Sequence, residues 1–176
     1  MSRAPIQRTD QTLFNALSEE AAQRPRQRCN HNFHKETEPV QRFLNVLQPG
    51  TYVCPHRHLR DQEGAGFECF LVLQGAIGLL IFSPEGEILQ TETLSASGPV
   101  RGVEVAEGQF HTLVALERDS VIFELKQGPY VPCQDKDFLD SGLWQIGLVR
   151  PAPSIGLPGD SQPLMHKGVA HHAPGP

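Results

Sequence analysis

Two histidines one residue apart, His56 and His58, lie in a segment whose composition predicts a β-strand. Because alternate residues of a strand face the same side, both imidazoles point the same way. Glu68 begins a later predicted strand, and His111 lies inside another. Three imidazoles and one carboxylate suit a borderline divalent ion: iron, manganese, nickel, zinc or copper. The pattern therefore predicts one metal site, whose open positions would bind water, dioxygen or a substrate.

The carboxylate of this site has competitors at the level of sequence. Asp61 and Glu63 lie in the polar loop between His58 and Glu68 and would also supply an oxygen ligand. We prefer Glu68, since it begins an apolar strand. The alternative without a metal, an exposed His-x-His pair on a strand, also stays open at this point.

The elements that must position these residues are short strands separated by glycine and proline turns. The predicted strands are Val40–Leu47, Thr51–His58, Phe67–Leu73, Ala76–Phe82, Glu87–Leu94, Arg101–Val105, Gln109–Leu116 and Ser120–Lys126. No helical pattern lies between them, which favours an antiparallel sandwich or barrel over a βαβ fold. Ahead of them, the apolar spacing from Asp10 to Gln23 predicts one amphipathic helix, capped by Thr9 or Asp10.

Length and composition favour one globular domain with extensions. We divide the 176 residues into an N-terminal helix and basic extension (1–39), a β-barrel (40–145) and a C-terminal tail (146–176). Six of the last 26 residues are proline and four are glycine, a composition typical of disordered segments.

Charge and hydropathy exclude several classes of partner. The net charge of −5 argues against a general nucleic-acid binder, which needs a basic face to neutralise phosphates. No apolar run is long enough for a transmembrane helix, and the first ten residues lack the apolar core of a secretory signal. The four cysteines form no CxxC pair. We therefore expect a cytoplasmic protein with a small-molecule ligand and no membrane contact.

Glycine spacing around the predicted ligands resembles the two motifs of the cupin superfamily. Gly50, His56 and His58 match the opening of the first motif, and Glu68 with Gly75 seven residues further on matches its ending. Glu107-Gly108-Gln109-Phe110-His111 resembles the second motif. The nine residues between His58 and Glu68 exceed the usual gap of the family, and Ala106 and Ala115 replace its proline and asparagine. Cupins are double-sheet jelly rolls.

A closer resemblance is to the WbuC family of cupin-fold metalloproteins. It is carried by Arg26 to His58, by Phe123 to Tyr130 and by Asp135 to Phe138, and it covers roughly Arg24 to Trp144. The resemblance implies an all-β fold, a cupin double-stranded β-helix (jelly-roll barrel) with a short N-terminal helix. It also implies a metal site. The association of that family with polysaccharide and O-antigen gene neighbourhoods implies a sugar-related role.

Strand parity extends the predicted site beyond the metal ligands. If His56 and His58 face the barrel interior, so do Tyr52 and Cys54, and Gln109 shares the face of His111. We expect these three side chains to line a ligand pocket.

Basic and titratable residues outside the ligand set supply further candidates. Arg26 and Arg28 could clamp a phosphate or carboxylate, or form a solvated linker. Tyr52 and His34 are the only candidates for a general acid or base. Glu124 and Lys126 share a strand face and either pair inside the barrel or flank the sheet.

Two functions follow from these residues. The first is a metal-dependent enzyme, an isomerase, epimerase or dioxygenase acting on a sugar or sugar-nucleotide, with the metal as Lewis acid. The alternative is a non-catalytic cupin that binds or senses a small ligand. We expect a homodimer, because cupins often pair edge strands.

Overall fold

The computed structural model describes residues 5–59, 66–130 and 136–140. These residues form one helix, α1 (Gln11–Gln23), followed by ten strands. The strands are β1 (Arg28–Asn32), β2 (Val40–Leu47), β3 (His56–Arg57), β4 (Glu68–Gln74), β5 (Ala76–Phe82), β6 (Ile88–Ser95), β7 (Gly102–Val105), β8 (Phe110–Ala115), β9 (Ser120–Gln127) and β10 (Asp137–Phe138).

The strands form two five-stranded sheets. The first, sheet A, has the order β1-β2-β9-β4-β7, and the second, sheet B, has the order β10-β3-β8-β5-β6. Every strand pairing is antiparallel. Since the chain alternates between sheets, strands distant in sequence become neighbours, as in double-sheet jelly rolls. The predicted all-β class is confirmed.

Apolar side chains from both sheets form the main core. Leu47, Phe70 and Ile122 of sheet A pack with residues such as Ile77 and Leu113 of sheet B. Each buried side chain of this size contributes about 1.5–3 kcal/mol relative to an exposed one. This core fills the interior beside the site described below.

Helix α1 covers the opposite face of sheet A. Phe14, Leu17 and Ala21 pack against Leu44 and Val46, which alternate along β2 with the residues that face the interior. The Asp10 side chain caps the helix by accepting a hydrogen bond from the Leu13 N–H at 3.0 Å. This is one of the two caps that the sequence predicted. The helix therefore covers the outer face of sheet A and does not border the interior between the sheets.

One predicted strand is wrong in extent. Between Thr51 and His58 the structure contains only the two-residue strand β3 and an isolated bridge from Tyr52 to Val114. Pro55 lies directly before β3 and has no N–H to donate, so a regular ladder cannot run through it. The side-chain alternation assumed for this segment does not hold.

Strands β1 and β10 were not predicted. The sequence of β1, Arg-Cys-Asn-His-Asn, has little intrinsic β preference. It is nevertheless held as the edge of sheet A by pairing with β2 along its whole length. Strand β10 has two residues and pairs with β3. Both strands exist because of tertiary pairing, which the local sequence does not reveal.

The turn between β4 and β5 requires glycine. Gly75 has φ +71°, and a Cβ atom there would lie 2.6 Å from Ser120 Oγ. The Ser120 hydroxyl in turn accepts a hydrogen bond from the Ala76 N–H at 3.2 Å. This close approach fixes the end of β4, the strand that begins with Glu68.

No helix in the described part of the chain is long and apolar enough to cross a membrane.

Candidate metal centre

Four side chains predicted as ligands come together in the interior. One potential ligand atom from each of His56, His58, Glu68 and His111 lies within 4.8 Å of the others. None of the four residues is more than 4% exposed. Asp61 and Glu63, the competing carboxylates, lie outside the described residues. Among the described residues, Glu68 is the carboxylate that joins the three histidines.

Both sheets contribute to this cluster. His56 of β3 lies directly opposite His111 of β8 in sheet B, and His58 follows β3 by one residue. The rings of His56 and His58 are perpendicular, with centroids 5.0 Å apart. Glu68 opens β4 in sheet A, so the two sheets must pack face to face before its carboxylate meets the imidazoles.

Backbone carbonyls determine which nitrogen of two rings points into the cluster. Nδ1 of His56 lies 2.9 Å from the Cys54 carbonyl oxygen, and Nδ1 of His111 lies 2.9 Å from that of Gln109. A carbonyl only accepts, so each Nδ1 carries the hydrogen, and Nε2 of the neutral ring has a free lone pair. Burial, assisted by the positive charge of Lys136, lowers the pKa of His56 to about 2, which keeps its ring neutral. Such carbonyl contacts orient metal-binding histidines in general.

Two of the atoms that face each other in the cluster, Glu68 Oε2 and His111 Nε2, are acceptors. Glu68 Oε2 lies 2.7 Å from His111 Nε2 and 3.2 Å from His58 Nε2. Glu68 Oε2 and His111 Nε2 are both buried. Neither has a properly oriented hydrogen-bond partner among the described residues. Buried acceptors without a donor are costly, whereas a cation between them would satisfy all of them. The donor set therefore fits a transition-metal ion.

A second buried carboxyl group, that of Glu124 on β9, contacts Glu68. Burial and the adjacent negative charge of Glu68 raise the pKa of Glu124 well above its usual range. Burial also disfavours ionisation of Glu68, but the hydrogen bond from Glu124 outweighs it and holds the pKa of Glu68 well below the usual range. Glu124 is therefore the protonated partner and donates to the Glu68 carboxylate.

Further contacts hold Glu124 in place. The Asn45 side-chain amide donates to Glu124 Oε2. Lys126, two residues along β9, is 5% exposed and lies opposite Glu68 in the strand register, with Nζ 5.7 Å from the centroid of the Phe43 ring. The sequence does not decide whether Glu124 and Lys126 lie inside the barrel or flank the sheet. The structure places both inside the barrel.

The cluster opens on a cavity of about 370 Å³, which we call the inner cavity. His56, Glu68 and His111 form part of its wall. The rest of the wall combines amide and apolar side chains with charged ones; these include Asn30, Asn32, Gln41, Asn45, Phe43, Phe70, Leu113, Arg28, Glu36, Glu124, Lys126 and Lys136. The amides of β1 and β2 were not recognised from the sequence, because β1 was not predicted as a strand.

Several predicted pocket residues lie elsewhere. Tyr52 and Cys54 are exposed and border a second pocket of about 690 Å³, the outer pocket, while Val53 faces the inner cavity. Gln109 is exposed and lines neither the inner cavity nor the outer pocket. The expectation that these three face the interior is wrong, because residues 51–55 are not a regular strand and Gln109 precedes β8.

The remaining candidates are divided between the two spaces. His34 lines the inner cavity, and its Nδ1 lies 3.0 Å from the Arg42 backbone nitrogen. Arg28 lines both spaces, and Arg26 lines the outer pocket. Of the two predicted acid or base candidates, only His34 borders the inner cavity, which the candidate metal ligands face.

Comparisons with known proteins agree with this architecture. Residues 9–94 match the family model described as a domain of unknown function, DUF6016. No curated protein matches the chain. Among solved structures, CapF bound to the inhibitor 3-isopropenyl-tropolone has a TM-score of 0.50 and 23% identity, over 62% of this chain and 31% of the CapF chain. The present chain thus spans about a third of CapF.

Two shorter proteins are also similar in structure. A cupin superfamily protein from Desulfitobacterium hafniense has a TM-score of 0.47 and 17% identity, over 63% of this chain and 86% of its own. KdgF from Halomonas sp. has a TM-score of 0.44 and 23% identity, over 60% of this chain and 82% of its own. One of these neighbours is described as a cupin superfamily protein, and the fold of the described residues is a cupin fold. The narrower resemblance to the WbuC family stays a prediction.

Proposed function

We propose that the protein is a metal-dependent cupin that binds and transforms a small polar molecule in the inner cavity. The observation that carries this proposal is the group of four buried ligands, His56, His58, Glu68 and His111, at the wall of a cavity large enough for a small molecule. A bound divalent ion would supply Lewis-acid activation of an oxygen atom of the ligand.

The amide and aromatic side chains of the cavity wall favour a hydroxyl-rich ligand. Amide side chains both donate and accept hydrogen bonds, so Asn30, Asn32 and Gln41 match the hydroxyl groups of a sugar. The faces of Phe43 and Phe70 offer apolar surface to the carbon side of a sugar ring. Together with the resemblance to WbuC proteins, this wall supports a sugar or sugar-nucleotide substrate and a role in polysaccharide biosynthesis.

The first test is elemental analysis of the purified protein. We expect about one equivalent of iron, manganese, nickel, copper or zinc in the wild type. The metal is expected to be absent from His58→Ala and retained in His31→Ala, a control whose ring packs on Phe33 outside the cluster. A metal-free wild type, or an equal content in all three proteins, would contradict the proposal.

Turnover separates the enzyme from a binding protein. The metal-loaded wild type is expected to convert a sugar or sugar-nucleotide in a screen by isomerisation, epimerisation or oxygenation, and His58→Ala is expected to be inactive. One observation favours the second candidate, a non-catalytic binding or sensing cupin. Tyr52 lies outside the inner cavity, which leaves His34 as the one predicted acid or base that borders it. A binding protein would be stabilised by its ligand and leave it chemically unchanged.

We also propose a cytoplasmic homodimer that associates through the β6 edge of sheet B. Strand β6 forms that edge, and Ile88 and Leu89 at its start are 49% and 61% exposed. Exposed apolar side chains on an edge strand favour pairing with a second copy. Light scattering is expected to give the mass of a dimer for the wild type and of a monomer for Leu89→Lys, and a monomeric wild type would reject the dimer.

A further inference from the structure

The outer pocket adjoins the inner cavity. Three residues, Arg28, Val53 and Lys136, line both spaces. The wall of the outer pocket comes from the segment after α1, from the irregular segment before β3 and from the region of β10. A ligand at this boundary would reach into both spaces.

Positive charge is concentrated in the outer pocket. Arg26, Arg28 and Lys136 line it, and none of its described lining residues is Asp or Glu. This is unusual in a chain whose net charge is −5. The acidic neighbour in sequence, Asp137, pairs with Arg57 through an Oδ2 to Nε contact of 2.6 Å. The three cations thus share one wall, and no carboxylate is among the described residues that line it.

Hydrogen bonds to the segment before β3 hold the backbone of Arg26 and the side chain of Arg28 in place. The Thr51 hydroxyl donates to the Arg26 carbonyl oxygen at 2.7 Å, and the Arg28 guanidinium donates to the Tyr52 carbonyl oxygen at 2.6 Å. Burial and the adjacent charge of Arg26 lower the pKa of Arg28, as expected where two guanidinium groups lie close together. Holding like charges together costs free energy, which an anion would recover.

Two aromatic rings border the same pocket. Tyr52 is 46% exposed and Phe138 is 58% exposed. The Phe138 ring centroid lies 6.2 Å from that of His56, so this side chain stands between the outer pocket and the metal ligands. Exposed rings beside cations offer apolar surface to the organic part of an anionic ligand.

We propose that the outer pocket binds the phosphate or diphosphate group of a small-molecule ligand, whose uncharged end enters the inner cavity. The second half of this statement rests on the proposed function, whereas the first half depends only on the outer pocket. Guanidinium groups bind phosphate oxygens through paired hydrogen bonds, and three cations match the charge of a diphosphate better than that of one carboxylate. A phosphorylated sugar or a sugar-nucleotide has the required combination of groups.

Binding of inorganic pyrophosphate, measured by calorimetry, tests the anion site. It is measured on wild-type protein stripped with a chelator and on His58→Ala, so that binding to a metal cannot account for the signal. We expect pyrophosphate to bind both proteins, more tightly than acetate, and to bind more weakly as salt is added. Arg26→Gln/Lys136→Gln should bind at least about tenfold more weakly, since two charge-assisted contacts are lost.

The matched control is Arg118→Gln, which removes an exposed arginine that lines neither space. It should bind pyrophosphate like the wild type, and all variants should unfold at similar temperatures. Binding that requires the metal, that is as strong for acetate, or that survives in the double variant would overturn the proposal. Binding by a protein that never takes up metal would support the anion site while rejecting the proposed function, so the two failures are distinguishable.

Discussion

Replacing Glu68 with Gln is expected to reverse the order of stability between the metal-free and the metal-loaded protein. Without metal, Glu68 Oε2 faces His111 Nε2 at 2.7 Å, acceptor against acceptor. The side-chain amide introduced by Glu68→Gln would donate a hydrogen bond to that nitrogen, and the substitution would remove a buried charge. The gain of about 1–3 kcal/mol is partly offset, because the hydrogen bond from Glu124 loses its charged acceptor. We expect the metal-free variant to be at least as stable as the metal-free wild type.

With metal the order should invert. A metal at a concentration of 100 times its Kd stabilises a folded protein by about 2.7 kcal/mol. For a chain of this length each kcal/mol shifts Tm by about 2–4 °C, so the metal should raise the wild-type Tm by about 5–11 °C. Glu68→Gln, with one ligand charge removed, should show little of this rise.

Thermal unfolding followed by circular dichroism measures both effects, with each candidate metal and with chelator. Glu104→Gln, which changes an exposed carboxylate on β7, is the matched control and should respond to metal as the wild type does. An equal metal-induced rise in Glu68→Gln would refute the assignment of Glu68 as a ligand. A metal-free Glu68→Gln that unfolds well below the metal-free wild type would refute the opposition of two acceptors.

Three further variants test other parts of the structure. Asp10→Ala removes the cap of α1 and should lower the free energy of unfolding by about 1 kcal/mol in urea denaturation; no change would mean that the cap is not formed in solution. Gly75→Ala should cost about 1–3 kcal/mol in the same assay, because of its φ of +71° and the contact with Ser120 Oγ, and a neutral result would contradict the turn geometry. Glu124→Ala should weaken metal binding about 10–100-fold in competition with a chelator, whereas Glu124→Gln, which can still donate to Glu68, should bind nearly as the wild type does; equal loss in both would exclude a positioning role.

The four residues of the candidate metal centre could be predicted because their signal is local. His56 and His58 are two residues apart, and Glu68 and His111 each stand at a characteristic distance from a glycine, Gly75 and Gly108. These glycines have positive φ values, so the backbone at both positions requires that residue type. A spacing of this kind can be recognised even where the strand is irregular, because it does not depend on the alternation of side chains along the strand.

The rest of the site depends on tertiary pairing. Tyr52 and Cys54 were assigned to the interior by alternation, which Pro55 interrupts. Asn30 and Asn32 lie in a polar segment that becomes a strand only by pairing with β2. Charged residues of a strand usually face water, and nothing in the local sequence of β9 shows that Glu124 lies inside the barrel. Its place follows from a register that joins distant parts of the chain.

The position of β9 also has a consequence for synthesis of the chain. This strand lies between β2 and β4 in sheet A, and Val40 pairs with Gln127. A growing chain therefore cannot complete the sheet until β9 has left the ribosome, and contacts over such sequence distances make folding slow. During that interval the edges of β2 and β4 that pair with β9 lack their partner, whereas β5, β6 and β8 of sheet B can already pair with one another. Because Glu68 on β4 lies opposite Lys126 on β9, we expect the candidate metal centre to be completed only after synthesis has passed Gln127.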